Sequence, residues 1–284
     1  SYFSHAIFGY GVFYLIKAIV RYCLTNDTSV FFYHELVTLD VNAIHVSVYC
    51  VVSFFYFLVK INKTTFDKIA IIILAIVTIL LSSKNIILTF TLLLLIYAFY
   101  NRKNTVKKSY VYLFLILTVT ASILFFNKIK ERFEIEIQST GTEKTINNSI
   151  SNEGAVYNVT INEAWNKDKF QHNDFFPGTA LRVYQIRIFK ELLQEENIFF
   201  TGFGLNASWA KIKEKRIEHN LYPGYEGFNF HNQYVQNFAD LGVFAFLLLI
   251  IMVLLTLKIA IRNKDFIHFS FAVLMISLFL TESF

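Results

Sequence analysis

The sequence predicts an all-α integral membrane protein, with about seven transmembrane helices and one large, partly helical extracytoplasmic loop. Two observations carry this. Apolar residues fill 55% of 284 positions and charged residues only 17%, against about 25% charged in soluble domains. The apolar residues also fall into long runs, each near the ~20 residues a bilayer crossing needs. A third observation orients them. The basic residues collect between the runs, so the net charge of +5 is topology information and not a nucleic-acid footprint.

The runs are about Phe3–Val20, Ala43–Val59, Ile69–Leu81, Ile86–Tyr100, Tyr110–Phe126, Phe238–Leu257 and Phe266–Phe284. Lys60, Lys63 and Lys68 separate the second and third. Arg102, Lys103, Lys107 and Lys108 separate the fourth and fifth, and Lys258, Arg262 and Lys264 the sixth and seventh. If the spans alternate, all three clusters share one side, and short basic loops are cytoplasmic. Arg21, on the outer side, is a minor violation. The expected organisation is residues 1–126 as helices one to five, 127–237 as a large outer loop, and 238–284 as helices six and seven. The chain starts and stops inside apolar runs, as a fragment of a longer membrane protein would. Cys23 and Cys50 suggest neither a disulfide framework nor a metal site.

The first half of the outer loop, Gln138 to Asp174, is rich in Asn, Ser, Thr and Glu and reads as irregular. Gln171-His172-Asn173-Asp174 holds metal-ligand residue types without a ligand spacing, so a solvated loop is the stronger reading. Pro177-Gly178-Thr179 reads as a turn and N-cap before a helix from Ala180 to about Glu196. Leu181, Tyr184, Ile188 and Leu192 give that helix one apolar stripe. Arg182 in its first turn sits at the positive end of the helix dipole, unfavourable unless an anion also binds there. Arg182 is therefore a candidate phosphate ligand and Arg187 a second one, the plain alternative being ordinary surface arginines. Gly202-Phe-Gly204 reads as a tight turn and Lys211–Arg216 as a basic surface helix. Glu218 and Glu226 are possible acid or base partners.

The loop ends at Asn229-Phe-His231-Asn232-Gln-Tyr234, which runs through Ala-Asp-Leu-Gly242 into an apolar helix. This places His231 where water meets membrane, in the first turn. The positive helix end disfavours an imidazolium, so a histidine there is a candidate general base. The plain alternative is that His231 and Asn232 cap or anchor the helix. Lys84, at the tip of the outward hairpin Ser82–Asn85, is a lone outer cation, either a snorkelling anchor or a ligand for an anionic head group.

His231-Asn232-Gln-Tyr234, followed by Asn-Phe-Ala-Asp-Leu-Gly242 and an apolar helix, resembles the O-antigen ligase and polymerase superfamily of bacterial membrane proteins. So does the order of parts: a Ser-basic pair at a span end, a large outer loop, Arg182 on a loop helix, Gly202-Phe-Gly204, then His-Asn at a helix start. Leu280-Thr-Glu282-Ser is similar to a later segment of that family. The resemblance covers about residues 30–284. It implies a metal-independent, inverting glycosyltransferase without cofactor in the bacterial inner membrane, with the large loop periplasmic. The donor would be a glycan on undecaprenyl pyrophosphate and the acceptor lipid A–core or another glycan. Arg182 matches the family's loop arginine and His231 its histidine. Lys84 falls where the family has arginine, keeping the charge but losing the bidentate geometry. Ligase and polymerase are not separable at this level. A transporter predicts ionisable residues deep within spans, whereas Lys17 and Glu282 lie near span ends. A non-catalytic assembly protein is the remaining rival.

Overall fold

The computed structural model describes residues 1–37, 41–81, 84–100, 139–141, 144–147, 155–225 and 227–283. The chain divides into two compact units. One comprises Ser1–Leu124 with Val253–Leu278, the other Phe125–Met252 with Phe279–Phe284.

The first unit opens with α1 (Tyr2–Thr25), a 3-10 turn (Thr28–Phe31) and α2 (Tyr33–Leu36). It continues through α3 (Ala43–Val59), α4 (Thr65–Leu80) and α5 (Lys84–Tyr100). Asn42 caps α3 through its side chain, and Thr64 with Asp67 forms a capping box on α4, which satisfies amide donors that a helix start leaves open. The core is aromatic. Phe54 and Phe90 meet at 4.8 Å, Phe55 and Phe266 at 5.3 Å, and Tyr97 and Phe266 at 4.8 Å, edge to face in each case, the arrangement the ring quadrupole favours.

The second unit is the outer loop with the first part of a long helix. It holds β1 (Thr145–Ile146), β2 (Tyr157–Asn158), α6 (Ile161–Asn166), β3 (Asp174–Phe175), α7 (Gly178–Glu195) and α8 (Ser208–Glu218). A 3-10 turn at Pro223–Tyr225 precedes α9 (Gln233–Arg262), whose second half continues into the first unit, and α10 (Phe266–Phe279) ends the helices. The strands form one small sheet in the order β1-β2-β3, antiparallel then parallel. Phe170, Phe176, Tyr184, Ile188, Leu192, Ile212 and Phe230 are buried together at its centre.

Of the seven expected spans, the fifth, Tyr110–Phe126, lies outside the described residues. The other six coincide with α1, α3, α4, α5, α9 and α10. By length and composition α1 and α9 can cross a membrane, while α3, α5 and α10 are shorter apolar helices. The 17 residues of α3 make about 25 Å at 1.5 Å per residue, short of the ~30 Å hydrocarbon core.

Three local expectations change. The segment expected to be irregular carries β1, β2, β3 and a capping box on α6 from Thr160 and Glu163. Helix α7 starts at Gly178 with Pro177 as its N-cap, so Thr179 lies inside the first turn and Arg182 is the fifth residue. The basic run on α8 is divided: Lys213 is exposed and Lys211 partly so, while Lys215 and Arg216 are buried. Lys215 pairs with Glu195 at 2.6 Å and Glu218 at 3.0 Å. Arg216 donates to the carbonyls of Tyr225 and Phe228.

Candidate functional site

The site is built on a break in α9. Gly242 has φ 76° and ψ −174°, so the helix kinks there. A kink strands the carbonyls one turn back, and buried carbonyls need donors. The Phe199–Gly204 turn supplies them. The amide of Phe203 donates to Ala239 O at 2.9 Å and that of Gly204 to Asp240 O at 2.8 Å, while Val243 N donates to Phe199 O at 2.8 Å. Gly202 and Gly242 both have positive φ, and a Cβ on either would overlap the opposing backbone, at Asp240 and Phe200 respectively. The paired glycines thus form the turn the sequence suggests, and that turn serves as a clamp on the kink. Asp240, also buried, accepts from Ser208 N at 3.1 Å and from the Gln236 amide at 2.8 Å. Helix α8 has no side-chain cap from its own N-cap Ala207, so Asp240 supplies an acceptor at that positive end. The Asn-Phe-Ala-Asp-Leu-Gly242 stretch is a structural lock.

His231 precedes the helix and does not lie in its first turn. It takes a left-handed φ of 46°, a conformation in which His, Asn and Asp are enriched among non-glycine residues. The turn is closed by Asn229, whose Oδ1 accepts from His231 N at 2.9 Å. Asn232 is the cap: its Oδ1 accepts from Val235 N at 3.1 Å and its carbonyl from Gln236 N at 2.9 Å. The approach to His231 is fixed by buried groups. Arg216 holds the carbonyls of Tyr225 and Phe228, and the Gln185 amide donates to Asn229 O at 2.6 Å.

The segment after α10 completes the site. Asn232 reaches Leu280 O at 3.3 Å, Arg182 reaches Thr281 O at 3.5 Å and Asn229 reaches Ser283 O at 3.5 Å. Tyr234 packs edge-on against Phe279 at 5.9 Å. Between these contacts the Glu282 carboxylate faces both candidate residues. Its Oε1 lies 3.9 Å from Arg182 Nη2 and its Oε2 3.6 Å from His231 Nδ1. Both are ion-pair separations longer than a hydrogen bond. The Glu282 side chain is 15% exposed, that of Arg182 41% and that of His231 26%. The remaining Arg182 bonds are at the limit of range, 3.5 Å to Gly178 O and to Thr281 O, and its buried Nε has no hydrogen-bond partner. A guanidinium held this loosely keeps donors for an anion.

Two of the four expected site residues, Arg182 and His231, are therefore brought together. Arg187 is not with them. Five residues further along α7 is about 500° of rotation, which turns it well away from Arg182. It is buried, 2.7 Å from Glu191 Oε1 and 2.6 Å from Lys167 O, and serves the interior of the loop. Lys84 belongs to the other unit, exposed at the first residue of α5. Its neighbour Asn85 donates to Ser277 O at 2.9 Å and accepts from Ser277 Oγ at 2.6 Å, and Ser277 stands a few residues before Glu282 in the chain. Glu218 is held on Lys215, and Glu226 lies outside the described residues. In the 171–174 cluster Gln171, His172 and Asn173 are exposed, as in a solvated loop, and Asp174 is buried. Asp174 is ion-paired with Lys144 at 2.6 Å and Lys167 at 3.0 Å. Burial works against its charge, but Lys144, the Gln171 amide and Lys167 outweigh burial and hold the carboxyl below the usual carboxylate range. Glu282 is the residue the sequence undersold. A lone acid at the end of an apolar span is costly without a cation, and that was the available signal.

No curated protein and no solved structure matches this chain. A family model described as O-antigen ligase does match, over residues 69–250. That range contains α5, Arg182, the Gly202–Gly204 clamp, His231 and the kink of α9. With well over half of the sequence matched, the chain belongs to the O-antigen ligase family of membrane proteins.

Proposed function

We propose that this chain transfers a glycan from undecaprenyl pyrophosphate to a hydroxyl of lipid A–core or of another glycan, at the periplasmic face of the bacterial inner membrane. The observation that carries this reading is the convergence of Arg182 and His231 on Glu282. Family membership supplies the reaction class. The oxygen of the acceptor hydroxyl attacks the anomeric carbon from the face opposite the leaving group. Its proton passes to His231, the bond from the anomeric carbon to the pyrophosphate oxygen breaks, and undecaprenyl pyrophosphate leaves with the electron pair, inverting the centre. Arg182, with donors to spare, carries the leaving-group charge in place of a metal. Arg187 is left out of the pyrophosphate site in this reading.

The test is complementation. A deletion strain is supplied with the wild-type protein or with His231→Ala or Arg182→Ala, and surface polysaccharide is resolved on a gel. Each variant is expected to lose at least about 100-fold in transfer, the usual scale for a general base or a charge-stabilising donor. Loss of long glycan from lipid A–core with polymer left on the lipid carrier identifies a ligase. Single repeat units still attached identify a polymerase. A wild-type ladder from both variants sinks the site and returns the transporter and assembly readings.

A further inference from the structure

The segment that follows α10 is tied to the loop at nearly every residue. Leu280, Thr281 and Ser283 each give a carbonyl to a side chain from the outer unit: Asn232, Arg182 and Asn229 respectively. Glu282 is the residue of this run whose carboxylate, largely buried, faces two cationic or basic groups. A carboxylate placed there for stability alone would be expected to close onto one partner at hydrogen-bond distance, since exposed or loose pairs contribute little. Glu282 instead stands at 3.9 Å from one and 3.6 Å from the other.

We infer that Glu282 is a positioning residue that serves His231 and Arg182 in turn. The inference rests on the glycosyl-transfer reading above. A carboxylate facing Nδ1 favours the tautomer with its proton on Nδ1, which leaves the Nε2 lone pair for the acceptor hydroxyl. When His231 takes the acceptor proton, the same carboxylate faces the positive charge that forms. Before the donor arrives, its charge is shared with Arg182. A bound pyrophosphate draws the Arg182 guanidinium to itself, because planar bidentate pairing with phosphate is the stronger interaction. The Glu282 charge then falls to His231 alone. Donor binding thus prepares the base, and the acid competes mildly with the donor for Arg182.

Two opposed effects follow for Glu282→Gln, which keeps size and hydrogen-bonding capacity but not charge. The kcat for transfer is expected to fall about 10- to 100-fold, somewhat less than for loss of the base itself. The KM for the donor is expected to stay level or drop a few-fold, because Arg182 loses its competing anion. Glu282→Asp, which keeps the charge on a shorter arm, is expected to recover part of kcat. The assay uses the whole protein in membranes, undecaprenyl-pyrophosphate-linked glycan from the source bacterium as donor, and its core–lipid A as acceptor. Limited proteolysis of the outer loop runs alongside. Glu282→Gln at wild-type kcat overturns the inference. So does a fall in kcat matched by a rise in KM and loss of protease resistance, which a merely structural role would give. His231→Ala and Arg182→Ala in the same assay separate the two claims. If both keep transfer, the glycosyl-transfer site itself is wrong. If both lose it while Glu282→Gln keeps it, only the role of Glu282 falls.

Discussion

The interiors of the two units are built on opposite terms. In the first, the large fully buried side chains are Phe54, Phe55, Phe57 and Phe90. Three of its buried hydroxyls bond within their own helix, Ser47 to Ile44 O, Thr78 to Leu74 O and Ser270 to Phe266 O, while Thr89 and Tyr97 bond across helices to Ser277 Oγ and Leu58 O. In the second, the buried set includes Asp174, Arg187, Lys215, Arg216, His219 and Asp240, each bonded to another element or across a turn. Arg216, at 1% exposure, is the largest of them. The contrast follows from what each unit must fix. Helices carry their own backbone hydrogen bonds, so a bundle needs only apolar packing and hydroxyls that bond within it. The outer unit must hold irregular backbone, and above all residues 227–231, in one shape. Backbone carbonyls outside helices need donors, and long buried cations supply them from a distance. The polar interior of the loop is thus the frame of His231.

Four changes break or sharpen that contrast, in falling order of effect. Arg216→Ala takes the donor away from the carbonyls of Tyr225 and Phe228 and empties the space of a buried side chain, a loss of about 3 kcal/mol. Proteolysis should show cleavage near residues 220–231 while α1, α3 and α4 stay protected. Gly242→Ala comes next. A Cβ there overlaps the Phe200 carbonyl at a positive φ, which costs about 2 kcal/mol. Gly9→Ala, in α1 with open space around it, should be neutral or stabilising by up to about 1 kcal/mol. Thermal unfolding of the two variants in the same detergent checks the pair. The smallest effect is that of pH. His219 lies within 2.9 Å of Tyr184 Oη and 3.4 Å of Glu191, with Arg187, Lys215 and Glu218 as further charges. Burial, which outweighs the nearby Glu191, pushes its pKa below the ordinary histidine value. The folded loop therefore prefers the neutral ring. Its stability is complete above the unfolded-state value of about 6.5 and declines as pH falls through that value towards the lower folded one. Hydrogen exchange at pH 7.5 and 5.5 should show faster opening of α7 and α8 at the lower pH and no matching change in α3.

Periodicity and run length made the helices readable. The run Ala43–Val59 is the helix found, and the stripe on Leu181, Tyr184, Ile188 and Leu192 lies on α7. What stayed hidden depends on tertiary contacts. A basic run at Lys211–Arg216 looks solvated until the partners that bury Lys215 and Arg216 are known. Gly242 inside an apolar run gives no sign of a kink, because the donors that satisfy it come from Phe199–Gly204. The two-residue strands are too short for any alternation to register. The order of motifs points to Arg182 and His231, which folding brings to one carboxylate, whereas helix phase turns Arg187, five residues further on, into the loop interior. Glu282 meets its partners only through folding, from the far end of the chain.

The most direct test of the Arg182–His231 site is single-turnover transfer by the purified whole protein in lipid nanodiscs, with lipid-linked glycan preloaded and acceptor added. His231→Ala is expected to bind the donor as the wild type does and to transfer it at least about 100-fold more slowly. Arg182→Ala is expected to weaken donor binding as well as slow transfer. Wild-type transfer rates from both variants would contradict the assignment of this site.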